Sequence, residues 1–254
     1  DGATASTKDA THAYTKAGTF KVTLRVTNKN GCMDSIPKIV KVFPAPIANF
    51  YFDDICMNGT ATFTDASVKV GGGAVTKGWT WTFGDDGSTS TLQNPTHVFK
   101  NPGSFQIKLT VSDLGCSDDT TATIKIFPLP TADYIISEVC IGTPTIFTDK
   151  SVMADPTDNI SKWIWSFGDK SALSSTKNPT HTYAKEGTYT TSLIVTTKLG
   201  CIGTISKDVI VRPRPTALFS ATPLCLSEPV RFTDLSTPTG EIVNWYWSFN
   251  DRGD

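Results

Sequence analysis

Apolar and polar positions alternate with a period of two along much of the chain. Phe105, Ile107, Leu109 and Val111 alternate with Gln106, Lys108 and Thr110. Phe20, Val22, Leu24 and Val26 repeat the pattern, as do Tyr189, Thr191, Leu193 and Val195. This is the period of a strand with one buried face. Ile124 and Ile126 correspond to Val40 and Val42, and to Val209 and Val211. Trp79, Trp81 and Phe83 share one strand face, as do Trp163, Trp165 and Phe167, and Trp245, Trp247 and Phe249. A central strand that faces a core needs such a face, so these nine aromatics are the expected core signature. No stretch reads as a helix.

The landmarks recur every 82–85 residues, and self-similarity at a fixed period marks a repeat architecture. Trp79-Thr80-Trp81-Thr82-Phe83-Gly84-Asp85 returns as Trp163-Ile164-Trp165-Ser166-Phe167-Gly168-Asp169, and again as Trp245-Tyr246-Trp247-Ser248-Phe249-Asn250-Asp251. Asn94-Pro95-Thr96-His97 returns as Asn178-Pro179-Thr180-His181, with a weaker copy at Ala10-Thr11-His12. Gly18-Thr19-Phe20 matches Gly103-Ser104-Phe105 and Gly187-Thr188-Tyr189, and a Pro-x-Pro recurs at Pro44, Pro128 and Pro213. The resulting frame is 1–43, the C-terminal half of a unit; 44–127 and 128–212, whole units; and 213–254, the N-terminal half of another. About seven short strands in roughly 85 residues, broken by Gly-Asp, Asn-Pro and Pro-Gly turns, predict an all-β chain of immunoglobulin-like sandwiches arranged end to end. With no leader before Asp1-Gly2, the chain reads as a piece of something larger.

Composition narrows the function classes. A net charge of −1 offers no basic face for phosphates, so nucleic acid is not an expected partner. No run of 18 apolar residues exists, so no helical membrane span is expected. Thr occupies 39 of 254 positions, which favours strands.

The run Trp-x-Trp-x-Phe-Gly-Asp, then Asn-Pro-Thr-His, then Gly-(Thr/Ser)-(Phe/Tyr), resembles the PKD domain over the whole chain. The unit, with one Cys before its second strand and a Gly-Cys after its sixth, is similar to tandem PKD repeats of Bacteroidota cell-surface proteins, including the large SprB-like gliding-motility adhesins. The resemblance implies an exported, extracellular stalk. Its partners would be neighbouring repeat units and the surface anchoring or motility machinery. The departure is Asn250, where the other copies carry Gly.

Six cysteines fall into two classes: Cys56, Cys140 and Cys225 before the second strand, and Cys32, Cys116 and Cys201 after the sixth. Regular spacing without Cys-x-x-Cys argues for disulfides and an oxidising compartment rather than zinc. Two pairings are open. Within a unit, Cys56 would pair with Cys116 and Cys140 with Cys201. Strand direction favours the other: the two classes sit at opposite ends of a sandwich, ~25 Å apart by strand rise, whereas a disulfide needs Cα atoms within ~7 Å. In a head-to-tail string the bottom of one unit meets the top of the next, which pairs Cys56 with Cys201. Such a staple across a short Pro-x-Pro link would give a stiff rod. At ~35–40 Å per unit from strand rise, the segment would extend ~100 Å or more.

Candidate chemistry is sparse. His12, His97 and His181 occupy one repeat position, a unit apart, and so cannot form one cluster. The tryptophans suit a sugar-stacking platform, but a core suits them better. Asp85, Asp86 and Asp169 in the turns form a weak Ca²⁺ candidate, against which stands the self-capping habit of such turns; no other cofactor is expected. Arg252-Gly253-Asp254 resembles an integrin ligand by chance. No catalytic triad or phosphate loop emerges, and a nucleophile would have to appear once where almost every distinctive feature appears three times. The expectation is therefore a non-catalytic stalk of a surface adhesin. The alternatives are a carbohydrate- or protein-binding array using the loops at Gly71-Gly72-Gly73 and Asp155-Pro156-Thr157, and accessory domains of a secreted hydrolase.

Overall fold

A computed structural model describes residues 2–70, 78–223, 225 and 228–249. The chain divides into two compact units, residues 1–129 and 130–254. Every described regular element is a strand.

In the first unit, strands Gly18–Thr27 and Met33–Val42 form a hairpin in register Gly18↔Val42. The turn closes because the Asn28 side chain accepts from the amides of Asn30 and Cys32. Residues 44–127 form a sandwich. One sheet has five strands in the order Thr89–Ser90, Gly78–Thr82, Gly103–Asp113, Cys116–Phe127 and Ile55–Cys56, the last pair running parallel. Three short antiparallel pairs face it: Pro46–Ile47 with Val68–Lys69, Phe50–Tyr51 with Thr64–Asp65, and Thr60–Thr62 with Thr96–Val98. The alternation seen in the sequence sorts Ile107, Leu109 and Val111 inward to meet Phe50, Phe63 and Trp81. Burying each such side chain contributes about 1.5–3 kcal/mol.

The second unit repeats this plan over 128–212. Its four-stranded sheet runs Val139–Cys140, Ile202–Arg212, Gly187–Thr197 and Ile160–Ser166. The opposing strands are Tyr134–Ile136, Pro144–Asp149 and Thr180–Thr182. Trp165, Phe147 and Leu193 lie at its centre. Beyond it, Phe219–Ala221 pairs with Phe232–Asp234.

The core signature needs two corrections. Trp81, Phe83, Trp165 and Phe167 are buried, but Trp79 and Trp163 are only half-buried. They sit nearer the start of their strands, where the indole reaches a polar partner at the margin of the sandwich. Trp245, Trp247 and Phe249 are exposed, because among the described residues of their unit no second sheet covers them. Gly71-Gly72-Gly73, Asn250, Asp251 and Arg252-Gly253-Asp254 lie outside the described residues.

Candidate functional site

The polar groups repeated in every unit converge on the strand that carries the tryptophans. The indole N–H of Trp79 donates to Asp65 Oδ2 at 2.8 Å, that of Trp163 to Asp149 Oδ2 at 3.0 Å, and that of Trp245 to Asp234 Oδ2 at 2.8 Å. The other oxygen of each aspartate accepts from the amide two residues on, at Ser67, Ser151 and Ser236. Those serines latch the first strand pair. The Asn49 amide donates to Ser67 Oγ, which donates back to the Asn49 carbonyl, and Ser151 and Ser236 do the same with Asp133 and Leu218. Asn94 and Asn178 accept from the amides of Asp65 and Asp149. The second indole of each pair, at Trp81 and Trp165, donates to the Leu92 and Thr176 carbonyls at 2.9 Å. Sequence reasoning missed these aspartates and serines. Their signal was the run Phe-Thr-Asp-x-Ser at Phe63, Phe147 and Phe232.

The Gly-Asp turn follows the tryptophan strand and builds a second motif. Gly84 and Gly168 have φ of +78° and +82°, and a Cβ at either would meet a backbone carbonyl oxygen, of Gln106 or Thr190, at 2.5 Å. Glycine meets both demands: left-handed φ and close backbone approach. The turn aims Asp85 and Asp169 at the repeat histidines. His97 Nε2 donates to Asp85 Oδ2 at 2.8 Å, and His181 Nε2 to Asp169 Oδ2 at 2.7 Å. Each imidazole stacks on the preceding phenylalanine, Phe83 at 4.3 Å and Phe167 at 4.2 Å between centroids. Its edge meets Phe99 or Tyr183, which stacks on Phe105 or Tyr189. The histidines are thus rungs in an aromatic column. Burial by itself raises the Asp169 pKa, but hydrogen bonds from Ser171 and His181 outweigh it and bring the carboxyl down to about 2. Ser88 holds Asp86 below the usual carboxylate range in the same way.

Asp85, Asp86 and His97 place their ligand atoms within 4.8 Å of one another. The donor set does not suit Ca²⁺, which takes 6–8 oxygens, because one corner is an imidazole already bonded to Asp85. In the second sandwich the same histidine–aspartate pair stands with Lys170 beside Asp169 instead of a second acid. The histidine–aspartate pair therefore forms with or without a second acid beside it. In the loop at Asp155-Pro156-Thr157, the Asp155 side chain accepts from both the amide and the hydroxyl of Thr157.

Cys56 and Cys201 are disulfide-bonded, whereas Cys32, Cys116, Cys140 and Cys225 are free. The pairing within a unit is corrected by this. Cys56 lies beside Phe127, at the far end of strand Cys116–Phe127 from Cys116, ~35 Å away by strand rise. Cys140 likewise lies beside Arg212, at the opposite end of strand Ile202–Arg212 from Cys201.

A family model described as "PKD domain" matches residues 1–42, 43–127 and 128–212. The chain belongs to the PKD domain family. The PKD1 domain of Vibrio cholerae metalloprotease PrtV is 27% identical, covering 33% of this chain and 98% of that one, with a TM-score of 0.30. The PKD1 domain of Vibrio anguillarum Epp is 24% identical over 34% of this chain and 96% of that one, with a TM-score of 0.31. A microbial collagenase of Vibrio alginolyticus is 37% identical over 71 residues. That match takes in 28% of this chain and only 8% of the collagenase, so the collagenase's activity does not transfer with it. PKD domains are non-catalytic modules that occur in extracellular proteins, and a disulfide is consistent with export.

Proposed function

We propose that these PKD units form part of a non-catalytic stalk of a large extracellular adhesin, spacing an active region from a bacterial surface, as in gliding-motility adhesins. One observation carries this reading. The distinctive polar side chains that recur from unit to unit are spent on their own unit: aspartate on indole, serine on strand, histidine on aspartate. Units built this way add length and stability with copy number and contact mainly their neighbours. The reading needs no cofactor, nucleic acid or membrane span.

A covalent staple joins consecutive units in this proposal. Cys56 of one whole unit pairs with Cys201 of the next, which is supported by their being oxidised while the other four thiols are free. Non-reducing peptide mapping tests it, with a Cys56–Cys201 peptide expected and a Cys56–Cys116 peptide ending the idea.

The match to a microbial collagenase favours a second reading, accessory domains of a secreted hydrolase. Fibril co-sedimentation separates the two. A spacer stays in the supernatant over fibrillar collagen, whereas an accessory module for that substrate binds saturably. A glycan- or protein-binding array is less well supported, since the Thr157 groups of the second-unit loop are taken up by Asp155. Saturable binding on a glycan array would revive it.

A further inference from the structure

Tension on a chain follows the shortest covalent path between its points of attachment. A cross-link takes the loop that it closes out of that path. The Cys56–Cys201 staple proposed above closes a loop of 144 intervening residues. That loop takes in the first sandwich beyond Cys56 and the second up to its last strand. Within the two sandwiches, only residues 44–56 and 201–212 then stay in the path.

Neither segment has slack to give. In the first sandwich, Pro46–Ile47 and Phe50–Tyr51 pair with Val68–Lys69 and Thr64–Asp65 in one continuous register. The segment then crosses to the other sheet, where Ile55–Cys56 lies parallel to Ile126–Phe127. Side chains pin it along the way. Asp118 Oδ2 accepts from the Ala48 amide at 2.8 Å, and Asp54 Oδ1 from the Lys125 amide at 2.7 Å. In the second sandwich, Ile202–Arg212 is one unbroken strand that pairs from Ile202 to Val211 with the strand Gly187–Thr197. An extended strand already spans ~3.3 Å per residue, close to the ~3.6 Å limit of a stretched chain. Its lateral bonds lie across the direction of pull and are sheared together rather than opened singly.

The positions of the two cysteines matter. Cys56 ends its segment just before a turn, where the Gly59 amide donates to the Cys56 carbonyl at 3.0 Å. Cys201 follows another, where the Gly200 amide donates to the Thr197 carbonyl at 3.1 Å. A cross-link one strand further into either sandwich leaves a turn in the path, and that turn unrolls under load.

We infer that the two segments and the disulfide form a tension member, which carries load past both sandwiches and leaves them folded. The inference rests on the proposed staple and adds to it a mechanical function, inextensibility.

Stretching of the 254-residue chain in optical tweezers tests this, with DNA handles clicked to azido residues in place of the exposed Lys41 and Ala217. The four free thiols are alkylated first, and peptide mapping of the same oxidised sample reads the staple. The path between the handles stretches to at most ~120 Å when oxidised and ~630 Å when reduced. At ~35–40 Å per folded unit, the oxidised chain is expected to lengthen by no more than ~50 Å. The reduced chain should lengthen by ~500 Å or more, in steps, at loads that the oxidised chain bears without one. With the Cys56–Cys201 peptide present, a reduced chain that withstands the same load overturns the inference, because the sandwiches then bear it unaided. An oxidised chain that carries this peptide and still lengthens by more than ~50 Å overturns it too, because the segments then hold slack. Absence of the peptide counts against the staple itself and removes the bypass with it.

Discussion

Tyr134 and Thr191 show how one polar pair replaces an apolar one at the centre of a PKD sandwich. They stand where the first whole unit has Phe50 and Ile107. The Tyr134 hydroxyl donates to Thr191 Oγ1 at 2.6 Å, and Thr191 Oγ1 in turn donates to the Lys207 carbonyl. Burial raises the Tyr134 pKa, so the hydroxyl stays a neutral donor. Removing half of such a pair leaves a buried polar atom short of a partner, which costs about 1–3 kcal/mol, while replacing both halves is nearly neutral. Urea unfolding should therefore show Thr191→Ile destabilised by roughly that amount, and Tyr134→Phe/Thr191→Ile restored to near wild type. The shared aspartates make a harsher case. Asp149→Ala strands the Trp163 indole and the Ser151 amide together and should cost about 2–3 kcal/mol in the same assay. Asp169, at about 2, titrates below its unfolded value near 3.8. Its stabilising contribution is complete above about pH 4 and is lost as the pH falls toward about 2. A carboxyl NMR titration checks this, and a midpoint near 4 would show that the Ser171 and His181 bonds do not hold in solution. Little of this polar detail was legible in the sequence. Period-two alternation reports which face is apolar, and it cannot distinguish Ile107 from Thr191 once a tyrosine across the core supplies the missing bond.

At the scale of the element, the tryptophan strand and its Gly-Asp turn were plain in the sequence, and the turn's rigidity was not. The repeated Trp-x-Trp-x-Phe put Trp81 and Trp165 correctly in the core. It over-assigned Trp79 and Trp163, because periodicity gives the face a residue occupies and says nothing of how near that residue lies to the sandwich edge. The glycine matters for a reason that only the fold reveals: the turn presses against the carbonyl oxygen of Gln106 or Thr190. Gly168→Ala must both adopt φ near +82° and displace that carbonyl, so a loss of about 1–3 kcal/mol is expected. Thermal denaturation of the variant measures it, and an unchanged midpoint would mean that the turn relaxes freely. Strand order was legible enough to place the two cysteine classes at opposite ends. The parallel pairing of Ile55–Cys56 with the end of Cys116–Phe127 gives the same separation in the fold and removes the pairing within a unit.

For the whole molecule, repetition is the property from which the proposed function follows. A chain whose distinctive groups recur from unit to unit, each serving its own sandwich, is suited to reach rather than to turnover. In the proposed arrangement the Cys56–Cys201 staple resists bending at the junction, and a disulfide of this kind stabilises by about 3–5 kcal/mol under the chain-entropy model. Cys56→Ser should lower the urea midpoint of the oxidised chain and leave that of the reduced chain unchanged. Small-angle scattering from the oxidised chain, extrapolated to zero concentration, most directly tests whether these units make a stiff stalk. Sandwiches end to end over ~100 Å predict a radius of gyration of about 30 Å, and a value near ~18 Å, that of a compact domain of this length, would contradict it.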